Sequence, residues 1–146
     1  MPRVRSACLL SVVALLGCAN AVPCTNCPPV DGVYSVAWPD AGPVVTGGCI
    51  AEGPRPATWT FVQKESTVTT TIAGVPVGGT YFDSYDMALS GAQSGVNYRL
   101  RALAIPTGEV DAGIELRGSL TTRLIDETTG DLCEVTDSYT AQRISR

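Results

Sequence analysis

The chain has 146 residues, room for one modest domain, with 10 Lys and Arg against 14 Asp and Glu and a formal net charge of −4. Histidine is absent, which excludes a His-based triad, a His general base and a His metal site. A sequence pI near 4.6 argues against binding a phosphate backbone, and 45% hydrophobic against 16% charged residues excludes a disordered chain.

Residues 1–17 carry a targeting signal rather than structure. Arg3 and Arg5 form a positive patch, and the apolar run over residues 8–16 is about half of the roughly 20 residues a membrane span requires. Leu15-Leu16-Gly17-Cys18 follows. This order of charge, apolar run and box resembles the lipobox signal of bacterial lipoproteins. The resemblance implies that the Cys18 thiol receives a diacylglyceryl group and that cleavage precedes it. It also implies an extracytoplasmic domain held to a membrane by lipid. Ala19 stands where an Asp would signal inner-membrane retention, so the outer membrane is expected in a Gram-negative host. A conventional signal peptide cut near Ala19-Asn20-Ala21 is the competing reading.

Residues 18–31 read as a lipidated Cys followed by a Pro-rich tether, since Pro23, Pro28 and Pro29 block regular structure. Four cysteines remain after Cys8 and Cys18 are assigned to the signal and the lipid. In an oxidising compartment they form disulfides, and of three pairings we expect Cys49–Cys133 with Cys24–Cys27. Cys24-Thr25-Asn26-Cys27 has the spacing of a redox motif. Pro28-Pro29 follows at once, however, and no strand–helix unit surrounds it. A zinc site would need a second such pair or histidines.

From residue 32 to 146 the apolar residues alternate with a period of two, the mark of strands with one buried face. Tyr34, Val36 and Trp38 share one face of the first strand. Trp59 and Phe61 share one face of the next, which turns at Lys64-Glu65-Ser66 into a Thr-rich strand over residues 67–72. Tyr85, Met87 and Leu89 alternate with polar neighbours, as do Tyr98, Leu100 and Ala102. Strands are expected again over residues 114–124 and 135–141. Residues 73–79, 91–95, 106–108 and 126–131 read as turns. Seven strands are clear and residues 44–50 supply an eighth, weakened by Gly47-Gly48. The expected fold is therefore all-β, an antiparallel meander closing into a small barrel, with a two-sheet sandwich as the alternative. A membrane barrel is excluded, because Arg99, Arg101, Glu115, Arg117 and Arg123 interrupt any lipid-facing band.

The meander resembles the lipocalins and related calycins, which carry Gly-x-Trp on the first strand and an Arg late in the last. Gly32-Val33-Tyr34 and Arg143 stand in those places, with Tyr for Trp. It is also similar to uncharacterised bacterial lipoproteins with a Trp-x-Phe-x-Gln strand, here Trp59, Phe61 and Gln63. Tyr34, Trp38, Trp59, Phe61, Tyr85, Met87 and Tyr98 are the candidate interior, either filling the barrel or lining a cavity for one small apolar ligand. No catalytic residue is expected. Ser has no base to activate it, and the carboxylates of residues 126–131 match no calcium loop and read as a solvated turn. Glu115 and Glu134 are expected to pair with Arg117 and Arg123 rather than act as an acid/base couple. No cofactor, metal or nucleic acid is expected. The expected partners are the membrane, through the anchor, and envelope proteins or a small apolar ligand.

Overall fold

A computed structural model describes residues 21–48, 53–108, 113–125 and 128–146. Among the described residues there are nine strands: β1 (Gly32–Ala37), β2 (Val44–Thr46), β3 (Thr58–Lys64), β4 (Thr67–Ile72), β5 (Val75–Tyr81), β6 (Asp86–Gln93), β7 (Val96–Pro106), β8 (Ile114–Ile125) and β9 (Leu132–Ser145). Eight of them form a closed antiparallel meander in the order β1-β3-β4-β5-β6-β7-β8-β9, and β1 returns to pair with β9. Closure makes this a barrel and sets the sandwich aside. The short β2 pairs with β9 at Val44↔Thr136 and Thr46↔Glu134, prolonging the β1 edge past the loop at residues 38–43. The expected eighth strand over residues 44–50 is thus a three-residue addition, not a stave of the barrel.

The eighth stave is β5, which lies where a turn was expected. Pro76, Gly78 and Gly79 are breakers in isolation. The turn itself needs only Ala73-Gly74, both at positive φ (50° and 82°), joining Ile72 to its partner Val75. Two positive-φ residues give a hairpin whose twist matches the strands it joins. Ser94-Gly95 repeats the device between β6 and β7, with φ of 51° and 78° and Gln93↔Val96 as the last pair. Val75, Val77 and Tyr81 then point inward, buried to 7%, 1% and 0% exposure.

The core lies inside the barrel, where every strand but β2 contributes its alternate residues. Ala102, Gly118 and Tyr139 stand in register across β7, β8 and β9. A side chain at Gly118 would collide with the Arg101 carbonyl, and instead the Tyr139 hydroxyl donates to that carbonyl at 3.1 Å. The missing side chain on β8 makes room for the ring from β9, an aromatic covering an inward glycine.

Candidate functional site

The expected interior residues come together, with one exception. Tyr34 and Phe61 meet edge-on at 5.5 Å, Trp59 and Phe61 at 6.0 Å, and Trp59 and Tyr139 at 4.7 Å. Such edge-to-face pairs add to the burial of the rings themselves. Met87 and Tyr98 are buried on the same interior. Trp38, just past β1, is half-buried against Trp59 and Tyr139, and its Nε1 donates to the Pro56 carbonyl at 3.0 Å. Tyr85 departs from the expectation. It lies in the β5–β6 loop at φ 65° and is 37% exposed, so its ring leaves the inward face on which Met87 and Leu89 begin. Tyr81 takes the inward place in its stead.

The buried phenols are satisfied. Tyr34 donates to the Val30 carbonyl at 2.9 Å and Tyr81 to the Pro28 carbonyl at 3.2 Å. Burial pushes both phenols up to about 12, and for Tyr34 the Arg143 guanidinium offsets part of that rise. Burial also raises Tyr139 and Tyr98. These groups stay neutral at any ordinary pH, and Tyr34, Tyr81 and Tyr139 act as hydrogen-bond donors, not as acids.

Both of those hydroxyls reach a segment that the sequence presents as a tether. Residues 22–31 form a strap across one barrel end. The Val22 carbonyl accepts from Asp83 N at 2.9 Å, Pro23 bridges to Phe82, and Cys24 N donates to the Tyr81 carbonyl at 2.8 Å. Cys24 and Cys27 are disulfide-bonded, as expected. Val30 is fully buried, with its N–H donating to Gln63 Oε1 at 2.8 Å. Most of the expected tether is therefore part of the folded domain. Its prolines leave carbonyls free to accept, and Val30 supplies an apolar plug. Arg143 completes this end, with its stem against Gly32 and its guanidinium donating to the Pro29 carbonyl at 2.8 Å. Gly32, Tyr34 and Arg143 thus lie together at this end. An open cleft of about 490 Å³ lies beside the ring, lined in part by Asp31, Gln63 and Glu65.

The opposite end holds a polar cluster that sequence reading missed. Asp137 occupies an inward position of β9, and its side chain is 4% exposed. Arg55 comes in from the segment between β2 and β3, and its Nη2 meets Asp137 Oδ1 at 2.7 Å. Gly53 lies over the same spot, so close that a Cβ there would contact Thr122 Oγ1 and Asp137 Oδ2. Among the described residues, Thr122 Oγ1 and Trp59 Nε1 are buried without a hydrogen-bond partner. The one available signal was positional, because Asp137 shares the alternation of Val135, Tyr139 and Ala141.

On the outer wall, Glu115 pairs with Arg117 and Glu134 with Arg123, as expected. The two glutamates are not neighbours, since Glu115 stands opposite Gln142. Cys133 is disulfide-bonded. Its expected partner Cys49 lies outside the described residues, as do Cys18, the whole signal segment, Asp126 and Glu127. Among the described residues no three His, Cys, Asp or Glu side chains are grouped to hold a metal ion, and no helix is long and apolar enough to cross a membrane.

The architecture defines a class, the small eight-stranded antiparallel meander barrel. Compared with protein-family models, curated proteins and solved structures, the chain finds no match.

Proposed function

We propose that the protein is a lipid-anchored, extracytoplasmic barrel module of a bacterial envelope that works by contact rather than by catalysis. The observation that carries this reading is the interior. Tyr34, Trp59, Phe61 and Tyr139 interlock edge-to-face along the barrel, occupying the space in which a carrier would hold its ligand. The signal segment ending at Leu15-Leu16-Gly17-Cys18 supplies the anchor in this reading. One expression experiment tests both parts. A palmitate analogue should label the native chain in a bacterial host and should not label Cys18→Ala. The purified protein should then show no saturable change in Trp fluorescence with fatty acids or a hydrophobic dye. Persistent labelling of Cys18→Ala removes the anchor. Saturable binding that is lost in Trp59→Ala, with the β spectrum intact, replaces this reading with that of a carrier of a small apolar ligand.

A further inference from the structure

Four of the chain's ten basic residues stand on the outer face of two adjacent strands. The register places them on a grid. Asp86, Leu103 and Arg117 lie side by side across β6, β7 and β8. Ala88, Arg101 and Ser119 form the next row, Ser90, Arg99 and Thr121 the third, and Ala92, Asn97 and Arg123 the fourth. Successive rows are two residues apart along the strand, about 6.7 Å. Arg117 and Arg123 are each held by a glutamate. Arg99 and Arg101 are exposed, and among the described residues neither has a carboxylate partner. Their flanking neighbours are Ala, Ser and Thr, too short to cover a guanidinium. An open cleft of about 460 Å³ between Arg99 and Arg123 is lined also by Ser90 and Asn97. In a chain of net charge −4, these two adjacent guanidiniums of Arg99 and Arg101, without a carboxylate partner among the described residues, are an exception.

The strap fixes where this wall stands relative to the anchor. Among the described residues Val22 is the first tied to the barrel, its carbonyl accepting from Asp83 N in the β5–β6 loop. Only three residues separate it from Cys18, a span of at most about 14 Å along the chain. The same loop carries Tyr85, whose carbonyl accepts from Ala104 N of β7 at 2.9 Å. Val22, Tyr85 and Leu103 are exposed by 53%, 37% and 40%. They make an apolar and aromatic margin between the anchor and the arginines.

We propose that this β6–β8 wall is a membrane-docking face, on which the barrel lies sideways against anionic lipid headgroups. The proposal rests on anchorage at Cys18. The two free guanidiniums each meet a headgroup phosphate, which a planar fork of donors suits. Tyr85 and Leu103 sit at the interfacial level, where amphipathic rings and apolar side chains are at home. Asp83 and Asp86 oppose this attraction at the margin, so the face is selective for anionic over neutral lipid and salt weakens it.

The test uses the full lipidated chain bearing Leu103→Trp as a surface reporter. It is reconstituted in vesicles of brominated phosphatidylcholine, with or without an equal share of phosphatidylglycerol. Flotation with vesicles reads the anchor, and bromine quenching of the added Trp reads the face. We expect flotation in both lipids, and extra quenching only with phosphatidylglycerol, reversed by high salt. Adding Arg99→Gln and Arg101→Gln should lower the docked-to-free ratio by roughly 30-fold at low salt, with flotation unchanged. A Thr69→Trp reporter on β4, across the barrel, should remain unquenched. Flotation without lipid-dependent quenching overturns the docking face alone. Failure to float overturns the anchor and the proposal with it. Binding to soluble polyphosphate without quenching assigns the wall to a soluble polyanion and overturns the membrane as its partner.

Discussion

Removing Arg55 should cost far more stability than removing its partner. The pair is asymmetric, with the Asp137 side chain 4% exposed and the Arg55 side chain 34%. In Arg55→Ala the carboxylate stays inside the barrel without the guanidinium that neutralises it. Breaking a buried ion pair from one side costs about 3–5 kcal/mol. Water reaches the Arg55 side, so the lower end, about 3 kcal/mol, applies. In Asp137→Ala no carboxylate is left buried, and the loss is that of the Arg55–Asp137 charge-assisted hydrogen bond in a half-open position, about 1–1.5 kcal/mol. The double variant should therefore be more stable than Arg55→Ala alone, because it no longer buries a lone charge. Urea unfolding reads all four proteins, with Trp38 and Trp59 as reporters that stand on the same end of the barrel. Equal costs for the two single changes, or a double variant that loses the sum of both, would refute the reasoning.

Three further outcomes follow from the geometry. The folded phenols of Tyr34 and Tyr81 titrate near 12 against the ordinary 10. Their contribution, roughly 2–3 kcal/mol each, is thus fully present below pH 10 and is lost as pH rises from 10 towards 12. The β circular dichroism signal should fall in that window, and a spectrum unchanged up to pH 12 would contradict the reasoning. Gly118→Ala should destabilise by about 1–3 kcal/mol, since its Cβ would meet the Arg101 carbonyl and disturb the Tyr139 bond, whereas Gly48→Ala enters open space and should cost almost nothing. Replacing Cys24 and Cys27 by Ser opens a short ring, a loss of about 2 kcal/mol in thermal unfolding, while the strap stays docked through Val30 and the Tyr hydroxyls.

The staves were legible wherever β-branched and aromatic residues alternated without interruption, as in Thr58–Lys64 and Thr67–Ile72. β5 was hidden because Pro76, Gly78 and Gly79 signal turns one by one. Only the closed barrel shows that Val75, Val77 and Tyr81 keep the period. Tyr85 misled for the opposite reason, since its alternation continues that of Met87 while its backbone has already turned into the left-handed region. Asp137 was obscured by its charge, which by itself predicts an outward face, and no local pattern announces that Arg55, 82 residues away in sequence, will neutralise it. The strap was unreadable because most of its bonds come from distant strands: Tyr81, Gln63 and Arg143 reach it from 53, 33 and 114 residues away, and only Tyr34 from the strand that follows it.

Barrel closure has a consequence for how the chain comes to be folded. β1 is the earliest stave and its closing partner β9 the latest, with Val36 opposite Ala141. Hairpins between successive strands can zip as they emerge, but the seam cannot form until β9 has followed all the others. Such non-local closure makes folding slow. A chain that cannot finish its seam early stays open until its last strand is free to pair. The last strand to arrive then both completes the sheet and, through Arg143 at the Pro29 carbonyl, fastens the segment that arrived first.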